Sequence, residues 1–180
     1  MEEDEAIGRL QQGDVAGLDI LMQRYQRPAL RVAYLICHNS TVAEDVVQTA
    51  FVRLYDRIRR FDNTRPFGPW FLRIITNDAL MAMRRRHISL DTEAAVEVKS
   101  ITGSDLSLFS RIEEAETKAA IWAIIDKLTP AQRAAIVMRY YLELSDSEIA
   151  ATLAIPPGTV RRRLHDAHQS LRRMLPSWVK

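Results

Sequence analysis

Residues 61–77 read Phe-Asp-Asn-Thr-Arg-Pro-Phe-Gly-Pro-Trp-Phe-Leu-Arg-Ile-Ile-Thr-Asn. Aromatic, polar and cationic side chains are interleaved across a Pro/Gly-rich loop and into the start of a helix. Unpaired nucleobases are held by such groups, because a π-face stacks on any base and a nearby cation holds the backbone. Phe71, Ile74 and Ile75 fit core positions at helical spacing. Trp70, Arg73, Asn77 and the polar loop are the functional candidates, since a duplex reader has less use for Trp70.

Residues 145–174 carry a second constellation. A short capped segment, Ser145–Leu153, is followed by the tight turn Ala154-Ile155-Pro156 and a helix opening at Pro157. That is the layout of a helix-turn-helix, whose second helix enters the DNA major groove. At about 100° per residue, Val160, Leu164, Ala167 and Leu171 share an inward face. Gly158, Arg162, His165 and Gln169 face the other way, flanked by Arg161, Asp166 and Arg173. Residues near the start of such a helix can meet base edges, and later arginines can hold phosphates. His165-x-x-His168 has metal-pair spacing, but no cysteine or carboxylate set accompanies it, so polar surface or DNA contact is the better account. A third surface lies in Ala43–Phe51, where Val46, Val47, Ala50, Phe51 and Leu54 point inward and leave a polar strip of Asp45, Gln48 and Thr49.

The elements that position these groups are helical throughout. Apolar residues recur three and four apart, and strand-type alternation is missing. Capping boxes are expected at Thr41-x-x-Glu44, Thr129-x-x-Gln132 and Ser145-x-x-Glu148. The spacing predicts helices at 3–12, 14–37, 41–60, 67–86, 108–127, 130–142, 145–153 and 157–174, with Pro28 kinking or splitting the second. Residues 88–107 lack a clear period, and a linker of that length inside one compact domain is unusual. The chain therefore divides into a helical domain at 1–87, a linker at 88–107 and a helical domain at 108–180.

The 180 residues carry a net charge of only +2, but the charge is segregated. Residues 53–86 hold nine arginines against Asp56, Asp62 and Asp78, and residues 156–180 are basic again. Residues 1–20 and 88–117 are acidic. Two basic blocks suggest two polyanion contacts, although charge alone does not separate these from solvated arginine-rich faces. Single Cys37 excludes an internal disulfide framework and fits a reducing cytoplasm. No apolar run reaches membrane-span length, the acidic start is the wrong sign for a signal peptide, and no Gly-rich phosphate loop occurs.

Taken in order, these segments resemble bacterial sigma factors of the extracytoplasmic-function group. Ala43-Glu44-Asp45-Val46-Val47-Gln48-x-x-Phe51-x-Arg53 is similar to the region-two helix that binds core polymerase. Phe67-x-Pro69-Trp70-x-x-Arg73-Ile74-x-x-Asn77, ending in Arg84-Arg85-Arg86, is similar to the segment that melts promoters and reads the −10 element. Leu128-x-Pro130-x-Gln132-Arg133, Glu148-Ile149-Ala150 and Gly158-Thr159-Val160-x-x-Arg163-Leu164 are similar to region four, which reads the −35 element.

The resemblance implies an all-α fold of two small helical domains joined by a flexible acidic linker. It implies a transcription initiation factor, not an enzyme, that works without a cofactor. Core RNA polymerase is the implied partner, met through the β′ clamp coiled coil and the β flap, with Asp45, Gln48, Thr49 and Phe51 at the first contact. Phe61, Asp62, Asn63, Thr64, Arg65, Trp70, Arg73, Asn77, Arg84 and Arg85 are the implied −10 contacts. Thr159, Arg161, Arg162, His165, Asp166 and Gln169 are the implied −35 contacts. Binding energy then replaces ATP as the source of melting. An anti-sigma protein is a further partner that the resemblance admits, and the cytoplasm, on the nucleoid when polymerase-bound, is the implied location. Three positions depart from the family pattern: Thr49 and Met81 stand where acids are common, and Asp166 stands where Arg is common. Asp166 either accepts from a cytosine amino group or lies off the DNA, bonded to Arg162 or Arg163. A free-standing helix-turn-helix regulator is the alternative, but it leaves the aromatic loop and Arg84–Arg86 without a purpose. An enzyme would need converging acids, bases or metal ligands, and the four histidines are isolated.

Overall fold

Apolar residues at helical spacing bury one stripe per element, and the described residues fold accordingly. The computed structural model describes residues 3–92, 125 and 127–174. The elements are α1 (Glu3–Gln11), α2 (Ala16–Cys37), α3 (Ser40–Arg57) with a 3-10 turn (Ile58–Arg60), and α4 (Phe67–Thr92). They continue with α5 (Pro130–Ile136), a π-turn (Val137–Tyr141), α6 (Asp146–Leu153) and α7 (Pro157–Met174). Among the described residues no element is a strand.

Helices α1 to α4 enclose a core of Leu10, Leu21, Val32, Ile36, Phe51, Leu54, Phe67, Phe71 and Ile75, all at most 3% exposed. Each such side chain contributes about 1.5–3 kcal/mol by leaving water. Gly17 lets α1 and α2 touch: a Cβ there would lie 2.3 Å from the Ala6 carbonyl oxygen. α2 runs unbroken through Pro28, so the expected split does not occur. Buried Leu21 before the proline and Ala29 and Val32 after it hold both halves of the helix, against a penalty of about 3 kcal/mol.

Two helix boundaries also differ from expectation. The cap of α3 is Asn39, whose Oδ1 accepts from the Val42 amide at 2.9 Å, and Thr41 lies inside the helix. Asn ranks at least level with Thr as an N-cap, so the earlier residue wins. α4 continues past residue 86 to Thr92. No glycine or proline interrupts the chain between Pro69 and Gly103. The capping boxes at Thr129 and Ser145 form as expected. The helix expected at 108–127 and the linker beyond Thr92 fall almost wholly outside the described residues.

The second core joins Ala135, Met138, Leu144, Ile149, Ala150, Val160 and Leu164 across α5, α6 and α7. The π-turn and the following Glu143, at φ 53°, redirect the chain into α6. Arg139 staples this corner, donating to the Leu144 carbonyl at 2.9 Å and pairing with Asp146.

The two cores are in contact. Ala134 and Val137 of the second half are buried against the first, and α5 packs on α2 and α4. Arg73 of α4 pairs with Glu148 of α6 at 2.9 Å, and the Arg31 guanidinium lies 5.7 Å from the Tyr141 ring centre.

Candidate core-polymerase and nucleic-acid interfaces

α3 turns a polar line outward. Asp45, Gln48 and Thr49 are exposed, while Val46, Val47, Ala50, Phe51 and Leu54 are buried. Phe51 is 3% exposed and sits 4.8 Å from the Phe71 ring, so it supports the strip from beneath. One residue was missed by sequence reasoning: Val52 follows on the same face and is 74% exposed. The signal was present, because Val52 falls out of phase with the buried positions.

The loop after the 3-10 turn is built by short-range bonds. The Asp62 carboxylate accepts from the Thr64 amide at 3.0 Å and the Thr64 hydroxyl at 2.7 Å. Those bonds from Thr64, with Arg65 at 3.4 Å, hold the Asp62 carboxyl below its ordinary range. The Arg65 amide closes the turn onto the Asp62 carbonyl at 3.0 Å. Arg65 itself stays exposed.

Phe61 corrects the expectation. Its side chain is only 7% exposed, with its ring 4.7 Å from Trp70 and 5.6 Å from Phe67. An apolar ring beside two other aromatics gains more from burial than from solvent, so Phe61 is a floor under the loop and its face is not open to a base. Trp70 is half-buried on that floor. Asn63 is exposed but engaged: it exchanges two hydrogen bonds with Gln11, at 3.0 and 3.1 Å. Gln11 was not anticipated. The contact joins residues 52 apart, and no local pattern signals it.

Asn77 is half-buried further along α4, and Arg84 and Arg85 are exposed near its basic end. Arg73 is engaged by Glu148. The Glu148 carboxyl is held below its ordinary range by the Ser145 amide and hydroxyl, then by Arg73.

On α7, Val160, Leu164 and Ala167 are buried against α6 and α5, and Arg161, Arg162, His165, Asp166 and Gln169 are exposed. Thr159 is half-buried. His165 bonds Gln169 at 2.9 Å, and Gln169 accepts from Arg173 at 3.1 Å. These polar groups thus form a continuous line along the helix. Asp166 lies 3.8 Å from Arg162. His168 instead turns to the Tyr140 hydroxyl at 2.8 Å, away from His165. Burial, and then the nearby Arg84 guanidinium, both disfavour the charge of Arg163.

The chain has relatives among known proteins. Residues 21–87 match the family Sigma-70 region 2, and residues 118–171 match Sigma-70, region 4. The ECF RNA polymerase sigma factor SigW of Bacillus subtilis is 33% identical over 180 residues, covering 94% of each chain. The ECF RNA polymerase sigma-E factor of Escherichia coli is 33% identical over 174 residues, covering 92% of this chain and 90% of that one. The chain belongs to the ECF RNA polymerase sigma factors. As a sigma factor it is a transcription initiation subunit and not an enzyme; it binds core RNA polymerase and directs it to promoter DNA. The fold agrees. The sigma factor RpoE of Bartonella quintana, solved with the anti-sigma factor NepR, superposes on this sigma factor with a TM-score of 0.64. It does so at 22% identity, covering 86% of this chain and 95% of that one. Among the described residues, no helix is long and apolar enough to cross a membrane.

Proposed function

We propose that the three surfaces divide the work of initiation. Asp45, Gln48 and Thr49, with Phe51 beneath, dock on the β′ clamp. Loop 62–65, Trp70, Arg73, Asn77, Arg84 and Arg85 hold the melted −10 strand, with Phe61 as their support. Thr159, Arg161, Arg162, His165, Asp166 and Gln169 face the −35 duplex, and the second half also meets the β flap. The functional division follows residues 1–87, 88–107 and 108–180, the acidic segment that continues beyond the end of α4 at Thr92 lying in the polymerase cleft until RNA displaces it. The protein works in the cytoplasm, on the nucleoid when polymerase-bound, and an anti-sigma protein holds it until needed.

The observation that carries this assignment is the polar line on α3, exposed in register over a helix whose apolar side is buried. Replacing Asp45 and Gln48 together by Arg tests it in a competition assay for core polymerase. Weakened binding with unchanged helical content is expected, and unchanged affinity overturns the docking surface. The −10 assignment is tested by Trp70→Ala. Base stacking on an aromatic contributes about 1–3 kcal/mol, so open-complex formation on duplex promoters should fall and a pre-melted template should partly restore it. Equal activity of mutant and wild type on the duplex overturns it.

A further inference from the structure

Three exposed side chains of α7 are joined in series, one helical turn apart. Arg173 Nη2 donates to Gln169 Oε1 at 3.1 Å, and Gln169 Nε2 lies 2.9 Å from His165 Nε2. The direction of each bond follows from the chemistry of the groups. A guanidinium only donates, so the atom that meets it is the amide oxygen, and the amide nitrogen is the one turned to the ring. That nitrogen also only donates, so His165 Nε2 accepts. A neutral imidazole that accepts at Nε2 carries its proton on Nδ1. Arg173 thus orients Gln169, and Gln169 sets the tautomer of His165.

What remains on the ring is a donor. Among the described residues His165 makes no second hydrogen bond, and its side chain is exposed. The arginines one turn earlier lean elsewhere, Arg161 towards Asp146 at 4.0 Å and Arg162 towards Asp166 at 3.8 Å. Gln169 is the opposite case. A glutamine reads adenine by offering a free acceptor beside a free donor, and here both of its polar atoms already have partners. In the major groove guanine shows two acceptors, N7 and O6. Adenine sets an amino donor beside its one acceptor, thymine sets a methyl group there, and cytosine shows only a donor. A single N–H therefore fits guanine and is left unmet by cytosine, and an unmet donor in a dry interface is costly. A histidine without the series takes either tautomer, accepts as readily as it donates, and discriminates less.

We infer that Gln169 and Arg173 are positioning residues that hold His165 as an Nδ1–H donor, and that His165 in this form selects one guanine of the −35 element. The inference rests on the proposed −35 role of α7. Within that role Gln169 acts on the DNA through the ring and not by reading a base itself.

The test uses holoenzyme, the full chain on core polymerase, which first selects its promoters from a pool of randomised duplexes. Each selected −35 guanine is then replaced by 7-deazaguanine, which keeps its pairing but lacks N7. At one position wild type should weaken about fivefold, the worth of one hydrogen bond, and His165→Ala should be indifferent there. Gln169→Met and Arg173→Met should lose much of the preference at that same position. Arg173→Lys still donates to the amide oxygen and should keep it. These are ratios between DNAs, so they are insensitive to any loss of folded protein. In the full chain without DNA, at a pH where the ring is neutral, nitrogen NMR shifts should report Nδ1–H in wild type and a move towards Nε2–H in Gln169→Met. Packing alone would not produce that change. A guanine preference that survives Gln169→Met, or a tautomer it leaves unchanged, overturns the inference. So does a loss at a different position, which would make Gln169 a reader in its own right. The double variant Arg161→Ala, Arg162→Ala separates the two levels. If it and His165→Ala both capture the pool as wild type does, the −35 assignment and the inference both fail. If the double variant is weakened while His165→Ala or Gln169→Met keeps the guanine preference, the inference alone fails.

Discussion

Two residues show how a single side chain's surroundings set its chemistry. Asp166 is an acid on the basic helix proposed to face the −35 duplex, 3.8 Å from Arg162 and half-exposed. An exposed pair of this kind is worth about 0.3–0.5 kcal/mol, enough to restrain Arg162 but easily broken. Asp166→Ala should therefore raise −35 affinity without changing base preference, and Asp166→Arg should also steepen the salt dependence by about one phosphate contact. Binding to a set of −35 variants at two salt concentrations checks both. A preference lost at one position in the alanine variant would show instead that the carboxylate reads a cytosine. Cys37 is the opposite case, 3% exposed beneath α4. Burial pushes its thiol up to about 12 from an ordinary value of 9.0. Burial and the hydrogen bond to Glu3 likewise raise the Tyr25 phenol. In both, the folded state keeps a proton that the unfolded state gives up. Their contribution is whole below the unfolded values and is lost as pH rises from about 9 towards 12. The urea midpoint should fall between pH 8 and pH 10.5, less so in Cys37→Ala.

At the scale of the element, the turn of the helix-turn-helix carries avoidable strain. Ala154 caps α6 at φ 50° and ψ 47°, a left-handed conformation that costs a non-glycine residue about 1–2 kcal/mol. Part of that gain is offset by the freedom glycine adds to the unfolded chain. Ala154→Gly should thus stabilise the second half by about 1 kcal/mol, read as a higher thermal midpoint, and leave DNA binding intact. A lower midpoint would mean that the Ala154 methyl matters to packing. The elements themselves were legible because their signals are local. Ser145 and Thr129 stand three residues before Glu148 and Gln132, and the buried stripe of α7 repeats at helical spacing. The misses are competitions that local patterns do not settle. Asn39 displaced Thr41, packing carried α2 through Pro28, and serine and threonine after Arg86 did not stop α4. At the candidate site, the strip on α3 could be seen from periodicity. The burial of Phe61 and the Gln11–Asn63 pair could not, because both depend on α1, the loop and α4 meeting in space.

For the whole molecule, the ion pair of Arg73 with Glu148 links the proposed −10 surface to the first helix of the helix-turn-helix, beside the buried contact of Ala134 and Val137. Glu148 also completes the cap of α6, so the two roles must be separated. Glu148→Gln can keep the capping box while removing the charge; Glu148→Arg also repels Arg73. Scattering should give an increasing radius of gyration from wild type to Gln to Arg, and an unchanged radius in the Arg variant would mean that Ala134 and Val137 suffice to hold the halves together. The ion pair should survive mild acid. The depressed Glu148 carboxyl keeps its contribution above the ordinary carboxylate range and loses it only as pH falls through its lowered value. A last consequence follows from α4 being one uninterrupted helix. From Trp70 to Arg84–Arg86 it rises about 21–24 Å at 1.5 Å per residue, the length of roughly six or seven stacked nucleotides at 3.4 Å each. It is a rigid ruler with a phase as well as a length. Two residues inserted between Ala82 and Met83 would swing the exposed pair Arg84 and Arg85 about 200° around the axis, off the strand proposed for them. Seven inserted residues would return them to within about 20° of their heading but carry them about 10.5 Å onward. The two-residue insertion should abolish their proposed contact, and the seven-residue one should move its footprint along the DNA by about three nucleotides.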